Sequence, residues 1–401
     1  MYDGGGGGPP RGVDRCRARR QGGLVMPMRM RIARRLVLVS SFALCTLFAL
    51  PSPGAEHEFA AVSPDRPVTF PQDSGAHPAY RTEWWYATGW LDMPDHKPLG
   101  FQITFFRSAT GHSSADPSAF APTQLIIAHA ALSDPAFGRL VHDQKIARQG
   151  FGLASAKPDN TDVRLEEWRM VRAPDGHYDV SVDAADFALH LTLTPTQPPL
   201  LQGERGYSRK GPLPEQASNY YSEPQLRVGG SVTRPATSGG RAASATPVTG
   251  SAWLDHEWSS TLLAADASGW DWLGANLADG SALMAFKVRG VDGHAVWAHA
   301  ALRRADGRVT QYGPGEVDFT PIRQWRSPRT NTLYPVATTV KTGDLHWQLT
   351  PLLDDQELDS RESTGAVYWE GAVNLSRDGQ PVGRGYLELT GYAKALKLER
   401  R

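Results

Sequence analysis

Two short runs concentrate the groups that acid–base chemistry needs. In Arg81-Thr-Glu-Trp-Trp-Tyr86 a single carboxylate sits among large aromatics. In an extended strand Glu83 and Trp85 project to one side, and Thr82, Trp84 and Tyr86 to the other. If Glu83 faces an interior, loss of water disfavours its charge and makes it a general-acid candidate. Paired with Arg81 or Arg107, it is instead a structural ion. Trp253-Leu-Asp-His-Glu-Trp258 is denser still. Leu254, His256 and Trp258 share one strand face; Trp253, Asp255 and Glu257 share the other. His256 titrates near neutrality when unperturbed, so with acidic neighbours it can move a proton; the plainer reading is a buried, hydrogen-bonded ring. Glu83, His256, Asp255 and Glu257 are therefore the candidate catalytic groups.

Aromatic groups that could wall a ligand cavity surround these runs: Trp84, Trp85, Tyr86 and Trp258, with Trp270 and Trp272 of Gly269-Trp-Asp-Trp-Leu-Gly274. The last two share a face opposite Asp271, and equally suit the filling of a barrel. Tyr368-Trp-Glu-Gly371 and Gly383–Tyr392 read as barrel architecture. Other chemistries lack their marks. No Gly-x-Ser-x-Gly elbow occurs. His256-Glu257 does not continue to a second His at zinc-protease spacing. His294 and His299 fall on opposite strand faces, and there is no phosphate loop or dinucleotide fingerprint. No metal and no cofactor are expected.

The elements that must position these residues are strands. Glu83–Leu91, Gly100–Phe106, Gln124–Ala131, Phe187–Leu193, Ala282–Val288, Ala366–Leu375 and Gly385–Tyr392 alternate in polarity and are rich in aromatic and β-branched residues. Asp279-Gly280, Asp306-Gly307, Asp378-Gly379 and Pro174-Asp-Gly176 punctuate them as turns. Many evenly spaced strands imply an all-β sandwich or barrel, with helix below about a fifth. A length of 401 residues suggests two domains. Residues 233–247 lack an apolar run and read as a flexible connection, which places one domain over 62–245 and a second over 246–401.

Residues 1–55 carry nine Arg and two Asp, a net of +7, so the rest of this formally neutral chain carries −7. An acidic body has no electrostatic attraction to nucleic acid. Both cysteines, Cys16 and Cys45, lie in that first segment, which leaves the body without a disulfide or thiol nucleophile. Gly4–Gly8 reads as disordered leader, with Met26, Met28 and Met30 as alternative starts. Arg29, Arg31, Arg34 and Arg35, then apolar Leu36–Leu50, then Pro51-Ser-Pro-Gly-Ala55 form a secretory signal with cleavage near Ala55. The mature chain is expected in the periplasm or secreted.

Phe70-Pro-Gln-Asp-Ser-Gly-Ala-His77, Thr82–Tyr86, Gly89-Trp90, Gly100–Arg107, Ala128-His-Ala-Ala131, Tyr220-Tyr-Ser222, Trp253–Ser259, Trp270–Gly274, Tyr368–Gly371 and Gly383–Tyr392, in this order, resemble the AttH-like proteins of the carotenoid 1,2-hydratase superfamily. The resemblance spans roughly residues 65–395. It implies two lipocalin-like β-barrel domains around a largely apolar cavity, and adds His129 to the candidate ligand contacts. It includes enzymes that hydrate an isolated carotenoid double bond: an acid protonates the alkene, aromatic faces stabilise the cation, and a held water attacks. His256 and Trp258 fall on the hydratases' His-x-Trp pair. The hydratases' catalytic Asp, on the strand after Trp-x-Trp, has no counterpart in Ala282–Val288; the nearest carboxylates are Asp271 and Asp279. The exported AttH-like branch is the better fit. Two functions follow as expectations: acid/base hydration or hydrolysis of an apolar polyene or lipid-like ligand, or non-catalytic carriage of such a ligand, as an accessory of an exported or membrane transport system.

Overall fold

The computed structural model describes residues 59–396, apart from 113–115, 119, 235–243 and 262. The leader and signal segment lie outside the described residues. Within the described residues, 23 strands and two 3-10 turns make an all-β protein, as the alternation required. No helix among them is long and apolar enough to cross a membrane.

The strands form two large, curled, antiparallel sheets, one of 13 strands and one of 10, which gives two barrel-like halves. In the first sheet Thr82–Asp92 lies between Pro98–Ala109 and Thr246–Ser259, and the latter pairs in turn with Ala217–Thr233. This corrects the expected boundary. Thr246–Ser259 completes the first sheet, because Val232 pairs with Thr246 and Ser231 with Pro247, so the polar stretch before it joins two neighbouring strands. Most of that stretch lies outside the described residues. The passage to the second sheet comes after Ser259, and the second sheet begins at Ala267.

One apolar core fills the first sheet's interior around Trp85, Phe101, Trp168 and Leu254. Another fills the second around Trp347, Trp369, Leu387 and Leu389. A third lies between the sheets and is built from Tyr86, Trp90, Tyr220, Trp253, Trp272, Phe286 and Tyr386. Alternation of side chains therefore sends Glu83–Leu91, with Trp84 partly exposed, and Ala252–Ser259 to one of two largely buried places.

The strands Ala366–Arg377 and Gln380–Leu389 are joined by Asp378-Gly379, both at positive φ (53° and 76°), the conformation a tight two-residue hairpin needs. Arg377 pairs with Gln380 and Ser376 with Pro381, but Leu375 pairs with Gly383. Val382 is thus an extra residue, a bulge that shifts the remaining register by one. Beyond it Glu370 stands directly opposite Glu388.

Candidate functional site

The first of the two faces carries a chain of hydrogen-bonded ionisable groups. Glu83 is fully buried. Its Oε1 receives His77 Nδ1 at 2.7 Å and His256 Nε2 at 2.8 Å, and its Oε2 receives Arg107 Nε at 2.7 Å and the His77 backbone N–H at 2.8 Å. His77 Nε2 meets Asp73 at 3.1 Å, and the Tyr221 hydroxyl lies 3.0 Å from His256 Nδ1. His77 has a carboxylate at each ring nitrogen, so both nitrogens donate and the ring is cationic. His256 donates to Glu83 from Nε2 and accepts from Tyr221 at Nδ1, which completes a neutral ring. Electrostatics agree. Burial pushes His77 down, but Asp73 and Glu83 outweigh it and raise it; burial dominates at His256 and lowers it.

Burial also acts to raise Glu83, yet His256 and His77 hold it well below the usual carboxylate range. The expected protonated general acid is therefore an anion, since desolvation is outweighed by hydrogen bonds to the charged form. Asp73 behaves alike: burial raises it, while His77, the Thr69 N–H and Arg66 hold it at about 2. Arg107, one of the two ion-pair partners weighed for Glu83, locks the group. Beyond Glu83 it donates to Gln124 at 2.7 Å and to the carbonyls of His77 and Tyr80 at 2.9 Å each. Trp258 stacks on His77 at 3.7 Å between centroids, and Trp85 stacks on His256 at 4.8 Å. Asp73 and His77 come from the segment that precedes the first strand. That segment seats tightly, because a Cβ on Gly75 would overlap the Pro158 carbonyl oxygen.

The opposite face of the same strands looks onto the second sheet. Here lie Trp84, Tyr86, His129, Asp255 and Glu257, facing Trp270 and Trp272 of Ala267–Leu277. Asp255 accepts from Tyr220 at 2.8 Å, from Ser222 at 2.5 Å and from Trp253 Nε1 at 2.7 Å; burial still pushes it up to about 7. Lys210 lies 3.0 Å from Glu257, over the rings of Tyr220 and Phe286. His129 is buried between the Tyr368 hydroxyl and Ser363 Oγ, both at 2.9 Å, and burial lowers it to about 3. It is a neutral structural ring at the sheet junction.

Two carboxyls that the sequence reading assigned to architecture lie on this second face. Glu370 and Glu388 are opposite each other across two strands, and Glu370 is 1% exposed. Like charges so placed repel. Burial first, and the neighbouring carboxylate next, push Glu370 well above the usual range; burial raises Glu388 too, against the hydrogen bond from Trp270 Nε1 at 3.0 Å. The pair holds protons at neutral pH as a unit. Both Glu370 oxygens and the hydroxyls of Tyr86 and Tyr386 are buried without a hydrogen-bond partner of normal geometry, although Tyr86 and Tyr368 approach Glu370 closely enough to favour its anion. Trp272 is paired in register with Glu388. Partly exposed Trp84, Trp270 and Trp297 border this region.

The candidate residues are thus divided between two strand faces. Glu83, Trp85, His256 and Trp258 share the first face, and the remaining candidates share the second.

The AttH-like family model matches residues 61–392. A candidate AttH from Nitrosomonas europaea, solved as a crystal structure, is 59% identical, covers 83% of this chain and 100% of its own, and superposes with a TM-score of 0.77. Kievitone hydratase from Nectria haematococca is 15% identical, over 84% of this chain and 97% of its own, at a TM-score of 0.61. CghA bound to Sch210972 is 13% identical, over 84% and 97%, at 0.50. These last two share the fold. No protein of curated function matches the chain. With a family model over most of its length and so near a relative, the chain belongs to the AttH-like family.

Proposed function

We propose that this AttH-like protein is exported, and that it binds an apolar, polyene or lipid-like molecule against the face between its two sheets and hydrates an isolated carbon–carbon double bond there. The carrying observation is the Glu370–Glu388 pair, opposite each other across two strands, Glu370 buried and Glu388 partly so, with both carboxyls raised by burial and set among aromatic rings. A carboxylic acid kept neutral in an apolar setting is a proton donor. Glu388, or its partner, gives its proton to one alkene carbon, and the π pair forms the new C–H bond. The cation at the other carbon faces the rings of Trp272 and Tyr86. Water attacks it, and the water's surplus proton returns to the carboxylate; the balance is alkene plus water to alcohol. The acid missing from Ala282–Val288 is supplied from two neighbouring strands of the same sheet. Kievitone hydratase, whose fold this is, carries a hydration in its name.

The test incubates the full mature chain with squalene, a carotenoid and an unsaturated fatty acid in oxygen-labelled water, with cis-parinaric acid fluorescence as a separate binding readout. Wild type should yield a labelled alcohol from one of them. Glu388→Gln and Glu370→Gln should bind the probe and yield none. Binding without label in wild type would establish a carrier. Amino-terminal sequencing of exported material should begin near Glu56; intact chain confined to the cytoplasm would refute export.

A further inference from the structure

The Glu83 network lies on the other strand face from the proposed reaction, and hydration there gives it no role. We infer that His77, Glu83 and His256 form a site for one divalent first-row transition-metal ion, with Zn²⁺ the best fit. His77 Nδ1, a Glu83 carboxylate oxygen and His256 Nε2 all lie within 4.8 Å of one another. Two imidazole nitrogens and one carboxylate oxygen are a donor set that suits zinc and its neighbours, whereas Mg²⁺ and Ca²⁺ take oxygen.

Each donor is held from behind. His77 turns its other nitrogen to Asp73 at 3.1 Å, the carboxylate–histidine arrangement that orients metal ligands. His256 turns its other nitrogen to the Tyr221 hydroxyl at 3.0 Å; on loading, Nδ1–H would donate to that oxygen. Glu83 keeps Oε2 on Arg107 at 2.7 Å, which leaves Oε1 for the ion. All three free donor atoms therefore point to one place. Oε1 stands 2.7 and 2.8 Å from the two nitrogens, bridged by hydrogens. Metal bonds of about 2.0–2.1 Å at tetrahedral angles need donor separations of roughly 3.3 Å. The two short separations must open by about half an ångström, and the two rings must draw together. An ion then replaces the bridging hydrogens and the positive charge of the His77 ring.

The surroundings favour retention. Trp258 covers His77 and Trp85 covers His256, so water reaches the ring nitrogens poorly. His77 is 9% exposed at its side chain, against 0% for Glu83 and His256, so entry runs past the segment that carries Asp73 and His77. A second His was missing from the Trp253–Trp258 run because it comes from 179 positions earlier in the chain, outside any local spacing rule.

The mature full-length chain, stripped with chelator and dialysed, is titrated with Co²⁺ and then Zn²⁺. We expect one equivalent of Co²⁺ with the intense visible bands of a tetrahedral site, bleached by Zn²⁺, and a thermal midpoint that rises with ion concentration. His77→Gln should abolish the bands, and Asp73→Asn should weaken affinity about ten- to a hundredfold; circular dichroism checks that both are folded. Glu388→Gln should bind as wild type does, which separates this site from the hydration proposal. Sub-stoichiometric uptake without bands, or equal binding by wild type and His77→Gln, would overturn the inference.

Discussion

Glu83→Gln is the sharpest perturbation of the first-face network, because it keeps shape and removes charge. In the metal-free protein Glu83 receives a cationic ring, a guanidinium and a neutral imidazole at 2.7–2.8 Å. Hydrogen bonds to a charged group contribute roughly 1.5–3 kcal/mol each. Glutamine retains one acceptor oxygen, and its amide hydrogens must face a donor. His77 and Arg107 then stay buried without a counter-charge, and breaking a buried pair on one side costs about 3–5 kcal/mol. We expect a loss in that range by urea unfolding, read as a lower midpoint at unchanged slope, and a fall in thermal midpoint of roughly 5–10 °C at about 2 °C per kcal/mol for a body of this size. The acid limb should change as well. Glu83 has a depressed folded pKa, so its contribution is present above the unfolded carboxylate range and is lost as pH falls through the folded value. The variant should therefore be flatter below about pH 4.5. A cost under about 1 kcal/mol would refute the claim that Glu83 is the network's counter-ion.

The second-face carboxyls have the opposite sign: their raised pKa values add stability below the unfolded carboxylate range, and this is lost as pH rises. Calorimetry should find Glu370→Gln clearly more stable than wild type at pH 8 and nearly equal at pH 5; a gain confined to acid would refute the assignment. Arg107→Lys keeps a charge but cannot reproduce four directed bonds, and should cost about 3 kcal/mol by urea unfolding; a cost near zero would show the fork to be dispensable. Gly75→Ala should displace the capping segment, because its Cβ meets the Pro158 carbonyl. Hydrogen exchange should then rise around Asp73 and His77; unchanged protection would refute the close fit.

Much of this was legible in the sequence, and its failures share a cause. Strand alternation placed Glu83 with Trp85 and His256 with Leu254 and Trp258 on the faces they occupy. It did not say that both faces are buried, one in the first sheet's interior and one against the second sheet. The candidate list therefore drew on both faces. Reading Glu83 as an acid followed burial alone, and the donors that reverse it come from Pro98–Ala109, Thr246–Ser259 and the capping segment. The sign in Phe70–His77 was present as a match to relatives, but nothing local in that run tells an anchored Asp–His pair from a turn. Asp378-Gly379 announced its hairpin, whereas the extra residue at Val382 carries no compositional mark. Counting back from the turn without it pairs Glu370 with Leu387 and hides the acid pair.

That bulge makes the second site conditional on register. Deleting Val382 would remove the bulge and leave Glu370 opposite Glu388, but drawing Val382 into the ladder at unchanged length would pair Glu370 with Leu387, turn Glu388 over and aim it into the core now filled by Leu387 and Leu389, where a carboxyl has no companion. The acid pair would vanish without any substitution at either glutamate. Descendants of this fold can thus lose the site through a change of register in one hairpin, with both glutamates still in place. Hairpin register, and not only the presence of glutamates, is then the character by which to sort lineages that keep the pair from those that only carry the barrel.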